Sequence, residues 1–246
     1  MRDSHPRLAL HFLELRATLP GETAGGRRKN DRRTARSLNV LLCLKATKFQ
    51  HRQKGLEYLM QFTETKLRGA YIIELERRQD SRGFFARAFC QKEFAAHGLT
   101  PLIAQANVAY NFKKGTLRGM HFQFPPAAET KLVRCTRGAI LDIIVDLRPE
   151  SPTYLQNIAV ELNEDNGRAL YVPERFAHGY QTLRHNTETS YQVGEFYAPA
   201  YESGLLHNDP RLGLQWPLQV AVISDKDQKF KLLDHTEQEL RRRMTV

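Results

Sequence analysis

A histidine and a lysine on apolar strand faces are the first residues of this chain that call for a chemical explanation. In the run 131–135, the period of two along an extended backbone puts Lys131 on one face with Val133 and Cys135, while Leu132 and Arg134 point the other way. By the same count, His121 in the run 117–123 shares a face with Gly119 and Leu117. Either side chain would be costly in a sealed core unless paired. In a barrel with an open mouth both would line a pocket instead. One inward histidine is more often a hydrogen-bonded core residue. Two such positions, ten apart and joined through Pro125-Pro126, make a pocket an equal reading.

The residue inventory narrows what such a pocket can do. A metal centre in a β-barrel needs several converging His and carboxylate ligands. The segment around His121 offers one histidine and no His-x-His pair, and His178 could at most supply a second ligand from across the barrel. No metal is therefore expected. Nucleophilic hydrolysis is weaker still, because there is no Gly-x-Ser-x-Gly and neither Cys90 nor Cys135 has a histidine nearby in sequence. Gly-x-Gly-x-x-Gly and P-loop patterns are also missing, so no dinucleotide or nucleoside-triphosphate loop is indicated. What remains is acid–base chemistry without a cofactor. It needs a base, a partner that orients it, an acid, and a charge that stabilises a developing anion.

The elements that must position these groups read as short strands. The runs are 71–76, 84–89, 102–109, 117–123, 131–136, 139–147, 156–162, 169–172, 178–183 and 189–196. Breakers such as Arg82-Gly83, Lys114-Gly115, Pro125-Pro126, Arg137-Gly138 and His185-Asn186 separate them. Only 91–97 and 236–244 have helical character. Many short strands at such spacing predict an all-β sandwich, jelly roll or small barrel, not a βαβ fold.

The net charge of +10 over 246 residues invites a nucleic-acid reading, but its distribution argues against one. Residues 1–59 hold 13 of the 37 Lys and Arg and 5 of the 27 Asp and Glu, so the remainder of the chain is close to neutral. We read 1–59 as a largely disordered basic extension, with a short helix around Leu8 to Leu15, and 60–246 as the folded domain. A nucleic-acid arm and a transit peptide are rival readings of the extension. The favoured one is a dispensable segment or an early start, with Met60 as initiator. No apolar run approaches membrane-spanning length, and three scattered cysteines suit a reducing, cytoplasmic setting. Neither a nucleic acid nor a membrane is expected as a partner.

An ordered set of motifs then carries a resemblance. It begins with Asp-Ser-Arg-Gly-Phe-Phe (80–85), Gln-Ala-Asn (105–107), Leu-Arg-Gly-Met-His-Phe-Gln (117–123) and Lys-Leu-Val-Arg-Cys (131–135). It continues through Gly138 to Arg148, Ser-Pro-Thr-Tyr (151–154) and Val-Pro-Glu-Arg-Phe-Ala-His-Gly-Tyr (172–180). Glu-Phe-Tyr-Ala-Pro (195–199), Asn-Asp-Pro (208–210), Trp-Pro (216–217) and Ser-Asp-Lys-Asp (224–227) complete it. Over residues 61–230 the chain resembles the dTDP-4-dehydrorhamnose 3,5-epimerase family, which implies a cupin-like double-stranded β-helix, or jelly roll, with few helices.

The resemblance implies a cofactor-independent isomerase that inverts C3 and C5 of a nucleotide-linked 4-keto-6-deoxy sugar, in deoxysugar or surface-polysaccharide synthesis. It makes His121 the base, Asp227 the group that orients it, Lys131 the enolate stabiliser and Tyr191 the acid on the opposite face. It places Arg82, Phe85, Gln105, Asn107, Arg118, His178, Tyr197, Glu202 and Lys226 against nucleotide, diphosphate or sugar, and it implies a homodimer that exchanges N-terminal strands. Two departures stand out. Arg87 occupies a position where the family commonly has a nucleotide-contacting glutamate, and a one-residue shortening before Ser224 leaves Asp225 as a rival to Asp227. A C3-only epimerase, a non-catalytic sugar-binding barrel and a metal-dependent cupin oxygenase are the alternative readings.

Overall fold

Short runs of alternating apolar and polar residues bury one side chain in two, so stability requires a second sheet to cover the apolar face. The computed structural model describes residues 60–245, and the expectations for the basic stretch 1–59 lie outside them. The described strands are β1 (Met60–Glu64), β2 (Tyr71–Leu75), β3 (Arg78–Asp80), β4 (Gly83–Phe85), β5 (Gln105–Asn111), β6 (Leu117–Gln123) and β7 (Lys131–Arg137). They continue with β8 (Ala139–Asp146), β9 (Asn157–Asn163), β10 (Ala169–Val172), β11 (Phe176–Thr182), β12 (Thr187–Val193) and β13 (Glu202–Gly204). The helices are α1 (Gln91–Ala96), α2 (Asp225–Gln228) and α3 (Glu237–Met244).

A six-stranded sheet in the order β1-β2-β10-β7-β12-β5 faces a five-stranded sheet in the order β13-β6-β11-β8-β9, with every pairing antiparallel. From β6 to β12 the chain passes repeatedly between the two sheets, which is the expected jelly roll. Val133, Cys135, Leu170 and Val172 of one sheet meet Ile140, Ile144, Leu162, Phe176 and Tyr180 of the other in the central core. The outer face of the smaller sheet is covered by Leu205, Leu212, Leu233, Leu240 and Met244. Phe94 of α1 and Leu99 pack with Met60, Ile73, Leu132 and Tyr171 on the outer face of the larger one. Val133 and Cys135 thus point inward and Leu132 outward, as the alternation around Lys131 predicts.

The alternation around His121 does not hold. His178 pairs with His121 and Tyr180 pairs with Arg118, so Gly119 and Met120 together oppose the single residue Gly179. This bulge reverses sidedness within β6. His121 therefore shares its face with Arg118, not with Leu117, and both look into the sandwich beside His178 and Tyr180. Glycine is required at the bulge: Gly119 has φ +123°, and a Cβ there would lie 2.5 Å from the Gly179 Cα. Nothing in the apolar pattern announces the extra residue.

Other differences lie at strand ends. The predicted run 84–89 shrinks to β4, paired with β3 in a separate two-stranded sheet. The run 102–109 slides forward to β5, β1 is a strand the sequence reading did not name, and β13 and α2 have too few residues for a periodic signal.

The Ser-Pro-Thr motif has a structural task. Asp146 at the end of β8 is fully buried and accepts bonds from the Arg148 guanidinium (2.8 and 2.7 Å) and from the hydroxyls of Ser151 and Thr153 (2.7 Å each). Burial by itself would raise this carboxyl, but the bonds from Arg148, Ser151 and Thr153 outweigh it and hold it below the ordinary carboxylate value. A depressed native value stabilises the fold above the unfolded pKa of about 4, and the contribution drains away as pH falls through the lower native one. Asp146→Asn should lower stability at pH 7 by about 3 kcal/mol in urea titrations, since it strands Arg148 and two hydroxyls. The wild-type advantage over this variant should shrink steadily in titrations carried out below about pH 4.

Candidate active site

The upper part of the sandwich holds the candidate residues. His121 on β6 is about a third exposed, and its Nε2 lies 2.8 Å from Oδ1 of Asp227, which is nearly buried. Asp227 sits in α2, where Ser224 caps the turn and accepts the Asp227 N–H at 3.1 Å. Its second oxygen accepts the backbone N–H of Gly119 at 3.1 Å, so the bulge and the carboxylate brace each other. Burial would raise the Asp227 carboxyl, yet the His121 bond and charge, the Gly119 N–H and the Ser224 cap hold it below the usual value. An ionised carboxylate only accepts. Nε2 of His121 therefore donates to Asp227, and Nδ1 is the ring nitrogen outside this bond. The neighbouring Asp225 is exposed, which decides between the two aspartates for this contact.

Lys131, at the start of β7, is buried and points into the same space. Its Nζ lies 3.5 Å from the His121 carbonyl oxygen and 3.1 Å from Glu129, whose side chain is also largely buried. Tyr191 on β12 is flanked by Asn107 of β5 and Val133 of β7, and it packs on the central core. Burial, the adjacent Tyr180 and the Glu129 carboxylate push the Tyr191 hydroxyl up, with Arg118 opposing. It therefore stays protonated at neutral pH. His178, the cross-strand neighbour of His121, forms its own buried pair with Asp142 at 2.7 Å.

Several predicted binding residues join this cup. Nε of Arg118 donates to Asn111 at 2.8 Å, and Asn111 in turn donates to the Tyr180 hydroxyl, which fixes the guanidinium on the inner face. Gln105 accepts the Tyr197 N–H at 2.7 Å, and the Tyr197 hydroxyl donates to Glu202 at 2.7 Å. Glu202 also pairs with Lys226. Burial works against the Glu202 charge, but the Lys226 and Tyr197 bonds and the charges of Lys226 and His121 keep its carboxyl below the ordinary value.

Arg82 and Phe85 are not brought to the cup. They stand exposed on the β3–β4 hairpin, where Arg82 bonds its own Asp80. Arg87 lies 3.2 Å from the buried carboxylate of Glu93. Its charge reversal is thus absorbed within the fold.

Glu129, Asp142 and Asn111 are site residues that the sequence reading missed. Asp142 had a visible signal, an acid in the middle of the apolar run 139–147, which Asp146 shares. Glu129 lies two residues before Lys131, but it precedes the strand, so periodicity says nothing about it. Asn111 is found only through its partners. Among the described residues, no group of three or more His, Cys, Asp or Glu side chains is arranged to hold a metal ion. No described helix is long and apolar enough to cross a membrane.

This geometry can be set beside known proteins. Residues 64–235 match the family model of dTDP-4-dehydrorhamnose 3,5-epimerase. A protein of that name from Methanothermobacter thermautotrophicus is 41% identical over 175 residues, 70% of this chain and 94% of the relative. The Bacillus anthracis dTDP-4-dehydrorhamnose 3,5-epimerase, solved with TDP and PPi bound, superposes with a TM-score of 0.69 at 42% identity, covering 71% of this chain and 99% of that one. The Legionella pneumophila dTDP-6-deoxy-D-glucose-3,5-epimerase, in complex with dTDP-4-keto-L-rhamnose, gives 0.69 at 35% identity over 74% and 96% of the two chains. With a family match over most of its length and a jelly roll shared with solved members, this chain belongs to the dTDP-4-dehydrorhamnose 3,5-epimerase family.

Proposed function

We propose that this protein is an isomerase inverting C3 and C5 of a dTDP-linked 4-keto-6-deoxyhexose, converting the 4-dehydro-6-deoxyglucose form to 4-dehydrorhamnose. The observation that carries the mechanism is the 2.8 Å His121–Asp227 pair beside a buried Lys131. Both target carbons flank the C4 ketone, so loss of either proton leaves an enolate with its charge on the ketone oxygen. Nδ1 of His121 takes the proton, while Asp227 holds the ring and balances the imidazolium. The Lys131 ammonium faces the developing oxyanion, where partial exclusion of water strengthens the attraction. Tyr191, kept protonated, returns a proton from the other face of the sugar, and the new C–H bond has the opposite configuration. One proton is taken and one is given at each carbon, so exchange of His121 and Tyr191 with solvent resets the site.

We assign Arg118, Asn107, Gln105, Tyr197, Glu202, Lys226 and His178 to substrate binding. Arginine suits the diphosphate because its planar fork makes paired charge-assisted bonds. A homodimer fits two further observations. β5 is an edge strand whose outer face exposes Val108 and Tyr110, with Phe112 just beyond. Arg82 and Phe85 lie on a hairpin outside their own cup, which suits a role in the cup of a second copy.

In deuterated water with dTDP-4-keto-6-deoxyglucose, proton NMR should show solvent deuterium entering both C3 and C5. Label at C3 alone, or at neither carbon, would reject the reading. His121→Ala and Asp227→Ala should each lower turnover by about 10²–10⁴-fold, and near-normal rates in either would remove the assigned roles. For the dimer, sedimentation should give twice the chain mass. Mixing His121→Ala with Arg82→Ala subunits should restore activity above that of either parent, because one cup in the mixed dimer then holds an intact set. A monomer, or a mixture no better than its parents, would sink this arrangement.

A further inference from the structure

His121 is held by more than its carboxylate. β13 pairs with β6 so that Gly204 is the direct partner of His121, and side chains at paired positions share a face. Gly204 has none to contribute. Its place is taken by the ring of Phe230: a Cβ built on Gly204 would lie 2.2–2.6 Å from three carbons of that ring. Phe230 in turn meets His121 edge to face, with centroids 6.0 Å apart and planes at 72°.

The segment carrying Phe230 is stitched down along both strands. Lys226 pairs with Glu202, two residues before Gly204 on the same strand face. Asp227 bonds His121 and the Gly119 N–H, and Phe230 then lands on Gly204. An aromatic ring lying over a strand glycine supplies the packing that the glycine lacks. Here the ring also occupies the flank of the imidazole, which the Asp227 bond cannot restrain.

We propose that Phe230, seated on Gly204, is a positioning residue for His121, fixing the imidazole plane and shielding the Nε2–H bond to Asp227 from water. The proposal rests on His121 being the base of the reaction described above. Asp227 defines one direction of the ring, along the hydrogen bond. Rotation about that bond is what Phe230 prevents, and a base that swings misses the carbon it must reach.

The test combines turnover with proton exchange. Phe230→Ala should lower kcat about tenfold with KM within about twofold, and Phe230→Leu should recover part of the loss. In nitrogen-edited proton NMR, the His121 ring N–H should exchange with solvent faster in Phe230→Ala than in wild type, a readout independent of substrate. Gly204→Ala in the wild-type background should reproduce both effects by displacing the ring, yet add nothing in the Phe230→Ala background. Three results would overturn the proposal: unchanged kcat and exchange in Phe230→Ala, equal harm from Gly204→Ala in both backgrounds, or an unfolded Phe230→Ala beside a fully active Phe230→Leu. If the wild type itself proves unable to turn over the sugar, the exchange data still decide whether Phe230 holds the ring.

Discussion

The bond between Asp227 and His121 is the constraint around which the site is arranged. A half-buried imidazole with no fixed partner would sample both tautomers and several rotamers, and its lone pair would have no set direction. Asp227 removes that freedom only because it is itself held on three sides, by the ring, by the Gly119 N–H and by the Ser224 cap. The same bulge that offers the Gly119 N–H turns His121 inward. One inserted residue in β6 thus accounts for both the direction of His121 and the seating of Asp227.

The cup contains two histidine–carboxylate pairs with different exposure. His121 keeps a solvent-reachable edge, whereas His178 and Asp142 are buried together. The first pair suits a group that gains and loses protons, and the second suits a fixed wall. Lys131 shows the same economy: Glu129 neutralises it at 3.1 Å, so a buried ammonium is tolerated while no substrate is present. The Glu129 charge also bears on Tyr191 and helps keep that hydroxyl protonated. His121, Lys131 and Tyr191, the base, cation and acid of the proposed mechanism, are therefore each under the influence of a neighbouring carboxylate.

How much of this was legible in the sequence depends on how far each residue acts through its neighbours. The sheet-forming runs, the inward face of Lys131 and the helical C-terminus follow from local periodicity, and the structure repeats them with shifts at the ends. Periodicity fails for His121 because it assumes an unbroken register, and a Gly-Met step carries no mark of a bulge. It is silent on β13 and α2, whose three and four residues are too few for a pattern to repeat. The carboxylates that accompany the site divide in the same way. Asp142 is visible as an acid among aliphatics, while Glu129 and Asp227 matter only through what they touch. Gly204 and Phe230 are the extreme case, since neither residue type suggests a site until the two strands are laid side by side.

The chain distance between His121 and Asp227 has a consequence for biogenesis. His121 and Asp227 are 106 residues apart, and both large sheets except β13 are complete once Val193 has been made. A nascent polypeptide emerging from the ribosome can therefore have most of its strands available while His121 still lacks Asp227. Premature termination between β12 and Asp227 would therefore leave nearly all the strands in place and His121 without its carboxylate.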